Sequence, residues 1–348
     1  MLIASGLLLA GALLVPSALF SLLALIGKKT YSTPLKQVSW IAGFSILLMP
    51  IALLAGRWVI QNAGVAWLLL PPLHLIAVCV PILWFIFLGS RGLPLSSPQR
   101  AWGVFGSGLV LGPFFILIVE IFVMALVFVA FVLYASSQPD LVLELSRLAE
   151  RMNAAPPDPE ALQRMIAPFL LNPAIAFGLF VFLSGIVPLV EEAIKPIGAW
   201  LLVGGNLTPA AGFTAGLLSG AGYALFENLF YTTNIASWST LVLTRTGTAL
   251  MHIMTASLTG WALARAWRYR NYLGFGLAYF AAVLIHGLWN GLGVLSAVGQ
   301  ITSEELTGPL LEQLISTAPL SLLILSALLF LLLVKFNADL RKSSVEGA

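Results

Sequence analysis

The chain of 348 residues is 59% hydrophobic and has only 17 Lys or Arg and 14 Asp or Glu, with a mean hydropathy of +0.99. Soluble domains carry about 25% charged residues, so this composition excludes a water-facing globular surface. The apolar stretches are far longer than barrel strands, which leaves an all-α polytopic transmembrane helical bundle with its backbone satisfied inside helices.

Nine apolar spans are predicted, at residues 2–27, 38–56, 64–89, 102–136, 173–203, 207–233, 246–267, 273–297 and 316–335. The first has no preceding Lys or Arg and is long enough to cross, so it reads as a span and not as a cleaved leader. The fourth and fifth exceed the usual length, which predicts tilt or interfacial overhang. Four regions follow: 1–136 with four spans, a loop at 137–172, a four-span core at 173–297, and a last span with its tail at 298–348. Cys79 is the only cysteine, so no intrachain disulfide can form. A net charge of +3 gives no ground for a nucleic-acid partner.

With the N-terminus outside, the cytoplasmic side receives Lys28, Lys29, Lys36, Arg91, Arg100, Arg265, Arg268, Arg270, Lys335, Arg341 and Lys342. The outer side receives only Arg57, Arg147, Arg151, Arg164 and Arg245. That asymmetry follows the positive-inside rule and places the C-terminus in the cytoplasm. The outer loop is expected to hold a short amphipathic helix with Leu141, Leu145, Leu148 and Met152 on one face, and a second helix starting at Asp158-Pro159. Such a hairpin would lie on the membrane surface.

Ionisable residues within spans are costly and face the bundle interior. Here they concentrate in spans five to eight: Glu191, Glu192 and Lys195, then Glu227-Asn228, then His252, then His286 with Asn290. At about 1.5 Å per residue, Glu191, Glu227, His252 and His286 lie roughly 18, 27, 22 and 21 Å from the cytoplasmic ends of their spans. Side chains lean toward the helix N-terminus, which draws Glu227 inward and Glu191 outward, so the four converge on one layer. Lys195 stands i+4 from Glu191 and i+3 from Glu192 and can neutralise either. Pro188 and Pro196 bracket the glutamates and are expected to open the helix locally.

This set suits hydrolysis. A partly desolvated carboxylate acts as general base toward water, with Glu191 preferred over Glu192, while imidazole and amide donors hold the oxyanion. Two carboxylates with two imidazoles are equally a zinc ligand set, drawn from Glu191, Glu227, His252 and His286, if the chemistry depends on a metal. Residue types alone leave both routes open.

The motifs Glu191-Glu192-x-x-Lys195, Tyr223-x-x-x-Glu227-Asn228, His252 with Gly260 eight residues on, and His286-x-x-Trp289-Asn290 resemble the PrsW family of intramembrane proteases. Their order and helix-by-helix placement match over about 188–290. Tyr223 departs from the phenylalanine usual there. The resemblance implies a membrane peptidase of the CAAX-processing and bacteriocin-processing superfamily, acting on a membrane-anchored protein such as an anti-sigma factor in a prokaryotic cell membrane. It maps the site onto Glu191, Glu192, Glu227, His252 and His286, with Asn290 as an added amide donor, and leaves metallo- and glutamic-type mechanisms open.

The same residues would also serve a proton-coupled transporter, which needs charge along a path to both faces, or a non-catalytic scaffold of the same fold. Lys195 reads as a charge partner, Trp289 as packing, Gly260 as a close helix contact and His74 as a satisfied buried histidine. Glu120 and Arg245 are placed outside the site, Arg245 near the outer end of its span. Because desolvated charges are a net liability, Glu191→Gln, Glu192→Gln and His286→Ala are each expected to leave the fold intact or more stable.

Overall fold

The computed structural model describes residues 2–27, 40–93, 95, 97–154, 161–162, 165–166, 168–169, 172–203, 207–230, 238–302 and 309–346. The expected helix start at Asp158-Pro159, together with Lys28, Lys29, Lys36 and Arg164, lies outside these residues. Among the described residues all regular structure is helical, as a backbone in lipid requires.

Helix α1 is Leu2–Leu25; a five-residue helical segment, Trp40–Phe44, and a 3-10 turn, Ser45–Leu47, lead directly into α2, Leu48–Ile60, which is followed by α3, Ala63–Ser90. Helix α4, Pro98–Gly106, begins where the Ser97 hydroxyl accepts from the Arg100 N–H, with proline at the first helical position. It runs through a π-helical turn, Ser107–Leu111, into α5, Gly112–Ser136. The outer loop forms α6, Pro139–Ala154; Leu141 is buried there, Leu145 and Leu148 are half-buried, and Met152 is exposed.

Asn172 caps the next helix, α7, Pro173–Val181, by accepting from the N–H groups of Ala174 and Ile175. A second π-helical turn, Phe182–Ile186, leads into α8, Val187–Ile194, followed by α9, Ile197–Trp200. Each π turn is followed, after one intervening residue, by proline: Pro113 after Gly112 and Pro188 after Val187. Proline removes one N–H from the ladder, and the wider turn takes up the missing bond. Spans four and five therefore combine their extra length with local rewinding.

Helices α10, Pro209–Phe230, and α11, Trp238–Tyr269, form the centre. Helices α12, Tyr272–Thr302, and α13, Pro309–Glu346, complete the bundle. Among the described residues seven stretches are long and apolar enough to cross a membrane: Leu2–Leu25, Ile41–Ile60, Gly64–Ser90, Pro98–Ser136, Pro173–Trp200, Tyr272–Gly299 and Pro309–Ser343. The other two expected spans are α10 and α11. At about 1.5 Å per residue each is long enough to cross, but their composition is more polar. The physical reason is their position, for every residue of α11 from Thr248 to Gly260 is buried. A helix surrounded by protein is free of the apolarity that lipid demands.

Small residues set the closeness of that central pair. Gly212, Gly216 and Gly220 recur every four residues on α10, facing Ala256, Gly260 and Ala264 on α11. A Cβ on Gly212 would meet the Gly260 carbonyl oxygen at 2.5 Å, one on Gly220 would meet that of His252 at 2.7 Å, and one on Gly216 would run into that of Ala256. Backbones in contact at a small-residue ridge are a membrane-helix packing mode. His252 continues the α11 ridge by one more four-residue step, so the packing itself delivers its ring to α10. Gly260 is thus the close contact that its sequence context implies, and Trp289 is buried in the core.

Candidate active site

Helix α8 is only eight residues long, and it is broken at both ends by proline chemistry. At its start Pro188 has no N–H for the Leu183 carbonyl, and the Asn290 side-chain amide of α12 donates to that carbonyl instead, at 2.9 Å. The chain turns again at Lys195 and Pro196. There the Ser219 hydroxyl of α10 donates to the Lys195 carbonyl at 2.6 Å and accepts from the Gly198 N–H at 3.1 Å. The Trp200 indole donates to the Ala193 carbonyl at 2.9 Å. Polar groups on neighbouring helices thus satisfy backbone atoms that α8 leaves open.

Between these clamps α8 presents Glu191 and Glu192, both buried, to α11 and α12. The ammonium of Lys195 is fully buried at the centre of the group. It donates to Glu192 Oε1 at 2.6 Å and to His252 Nδ1 at 2.6 Å, and it lies 3.2 Å from both His286 Nδ1 and Glu191 Oε2. His286 Nδ1 also stands 2.9 Å from Glu192 Oε1, and its Nε2 stands 3.9 Å from Glu191 Oε2. The two imidazoles meet edge to face with centroids 5.2 Å apart.

On the far side of His252, its Nε2 lies 2.6 Å from Glu227 Oε2. With Nδ1 accepting from Lys195, Nε2 carries the proton and donates to Glu227, so this carboxylate fixes the tautomer and ring orientation. Glu227 is held in turn by Arg245 Nη2 at 2.8 Å, and Arg245 Nε donates to Asn228 Oδ1 at 2.7 Å. Tyr223 closes one wall. Its ring packs edge-on against His252 with centroids 5.1 Å apart and lies 5.2 Å from the Lys195 ammonium.

The structure brings Glu191, Glu192, Lys195, Glu227, His252 and His286 into one network; the depth arithmetic concerns four of them, Glu191, Glu227, His252 and His286. Asn290 stands apart from it and clamps the α8 start. Arg245 was placed outside the site, yet it is part of the network; it lies seven residues, two helical turns, before His252 on the same face of α11. That spacing was the available signal. Glu120 of α5, also set apart, lies within electrostatic reach of Glu191, Glu227 and Lys195. His74 accepts from the Trp238 indole at Nδ1, 3.2 Å away, while its Nε2 has no hydrogen-bond partner among the described residues.

Glu191, His252 and His286 each offer a ligand atom, all within 4.8 Å of one another. One carboxylate and two imidazoles fit a catalytic metal centre, which takes three protein ligands and keeps a position open. Glu227 sits behind His252, where a carboxylate orients a ligating imidazole without ligating itself.

Residues 160–324 match the family model of PrsW family intramembrane metalloproteases. Over this stretch, a little under half of its length, the chain is similar to the PrsW family. No curated protein and no solved structure matches the chain. The PrsW segment contains every member of the network from Glu191 to His286, including Tyr223 and Arg245, whereas Glu120 lies outside it. With seven apolar crossing-length helices among the described residues, the protein is an integral membrane protein, and its matched segment is similar to an intramembrane protease family.

Proposed function

We propose that the protein hydrolyses a peptide bond of a membrane-anchored polypeptide, with Glu191 as the base that activates water. The convergence of two carboxylates and two imidazoles from three helices around one buried ammonium carries this reading. It is supported by the family match across the same residues.

The two glutamates have different surroundings. Glu192 is fully enclosed and committed to Lys195, with His286 Nδ1 2.9 Å away, whereas the Glu191 side chain keeps 11% of its surface exposed. In both carboxylates Oε2 is buried and has no hydrogen-bond partner among the described residues. Glu191 is the less enclosed of the two and is therefore the one placed to take a proton from water. As water adds to the scissile carbonyl carbon, that proton moves to Glu191, and the oxyanion is taken up by His286, whose Nδ1 accepts from Lys195 and whose protonated Nε2 lies 3.9 Å from Glu191 Oε2. The proton then passes to the amine as the C–N bond breaks. Glu227, gripped by Arg245, keeps His252 oriented throughout. Lys195 and Glu192 cancel each other's charge beneath.

If the enzyme is metal-dependent, Glu191, His252 and His286 hold the ion, zinc being suited to that donor set, and it supplies carbonyl polarisation and a more acidic water. The substrate is a single-span protein such as an anti-sigma factor, reaching the site laterally or from the outer face. The N-terminus is outside and the C-terminus cytoplasmic, in a prokaryotic cell membrane.

Cleavage of a panel of single-span substrates by purified protein tests the reading. Glu191→Gln should lower turnover about 10²–10⁴-fold, the scale of general-base catalysis, with Glu192→Gln and His286→Ala as companions and a chelator in a parallel arm. Turnover by folded Glu191→Gln equal to wild type would overturn it.

A further inference from the structure

We infer that the Lys195 ammonium and a divalent metal ion are alternative occupants of one position, so that Lys195 sets whether the cluster is metal-loaded. This concerns the cation at the centre of the site and is read without any substrate.

The three side chains able to hold a metal are the same three that face Nζ. Nζ lies 2.6 Å from His252 Nδ1, 3.2 Å from His286 Nδ1 and 3.2 Å from Glu191 Oε2. Lone-pair accounting makes the two states exclusive at His252. A neutral imidazole has one lone pair, and its other nitrogen is committed as donor to Glu227 at 2.6 Å. The Nδ1 lone pair goes either to the Lys195 proton or to a metal. Coulomb repulsion works the same way, because a buried ammonium within a few ångströms disfavours a second cation.

Glu192 supplies the exit. Its Oε1 holds Nζ at 2.6 Å and lies outside the metal-binding trio. The ammonium can therefore withdraw from the other three while keeping its shortest carboxylate contact. Lys195 also sits at the end of the helix, before the break at Pro196, with its N–H bonded to the Glu191 carbonyl and its own carbonyl held by Ser219, so the withdrawal is a movement of the side chain alone. The paired glutamates thus divide the work: Glu192 is the seat of the resident cation, and Glu191 is a ligand of the incoming one. On this view glutamate chemistry and metal chemistry are two occupancies of one cluster.

The test is zinc binding to the full-length protein in detergent, stripped by chelator and titrated against a competing zinc dye. Lys195→Met should bind one zinc per chain about tenfold or more tighter than wild type, the scale on which one nearby like charge shifts an ionic equilibrium. Lys195→Arg should stay as weak as wild type, and Lys195→Met/His252→Ala should lose the gain. Where Lys195→Met alone fails to fold, Glu192→Gln/Lys195→Met removes the pair together, spares the three ligands, and should show the same gain. Equal affinity in wild type and the Met variant, a gain that survives His252→Ala, or no zinc uptake by any variant would each overturn the inference. Substrate cleavage is scored separately, so a tenfold gain in a protein that cleaves nothing sinks the peptidase reading alone, and the reverse sinks only this one.

Discussion

Helices α10 and α11 and the helices around them solve opposite problems. Helix α5 exposes Phe114, Phe115, Leu117, Ile118, Ile121 and Phe122 in near succession, as a surface against lipid tails must. Helix α11 buries Thr255, Ser257 and Thr259 completely, each hydroxyl returned to a carbonyl three or four residues back. The shell is held by apolar bulk, the centre by backbone-to-backbone approach at glycines. Polarity is tolerated at the centre because the shell has already excluded lipid, and the ionisable cluster occupies that protected volume.

The sharpest way to break this contrast is to enlarge a small residue on each side of it. Gly216→Leu would drive a side chain into the Ala256 carbonyl, a backbone atom that cannot turn aside, and no monodisperse protein is expected after purification. Gly11→Ala on α1 meets nothing within 4 Å and should purify and melt like wild type. Equal tolerance at the two positions would refute the close-packed centre.

The next effect is electrostatic. Sequence considerations alone favour a stable Glu192→Gln variant, since a desolvated charge is removed. The 2.6 Å contact to fully buried Lys195 reverses that sign, because the substitution strips the ammonium of its closest carboxylate. A loss of about 3–5 kcal/mol is the scale for breaking one side of a buried pair, and Glu192→Gln/Lys195→Met should recover most of it. Glu191→Gln, with its longer 3.2 Å contact, should melt close to wild type. Thermal unfolding in detergent reads all three.

Smaller still is Asn290→Ala, which leaves the Leu183 carbonyl unsatisfied and should cost about 1–3 kcal/mol in the same melt. At the lipid-free end of the shell, the Lys335–Asp339 pair has side chains 73% and 56% exposed, so Asp339→Asn should give no resolvable change.

Much of the site was legible because helical arithmetic is rigid. The 1.5 Å rise placed four ionisable residues at one depth, and i,i+3 and i,i+4 spacing paired Lys195 with both glutamates. Hydropathy found the shell readily, since lipid contact demands apolar residues. It could not distinguish a crossing helix from an interior one, and α10 and α11 are where composition and position part. Arg245 is hidden from hydropathy by its distance from the span centre, and only helical phase, seven residues before His252, puts it on the site's face. Ser219 and Asn290 were illegible as clamps, since their partners are carbonyls orphaned by prolines on another helix, and sequence alone does not say which helix neighbours which.

The clamped segment Val187–Ile194 has a mechanical consequence. A continuous helix transmits tilt and bending along its length, so a bilayer that thickens or thins would move any side chain it carries. This segment is uncoupled from its own span by a π turn at one end and a proline break at the other. It is fastened instead to α12 through Asn290 and to α10 through Ser219. Those are the helices that carry His286, which the two carboxylates of α8 face, and Glu227, which holds His252, so the lipid-facing arms can sway without opening the gaps among them.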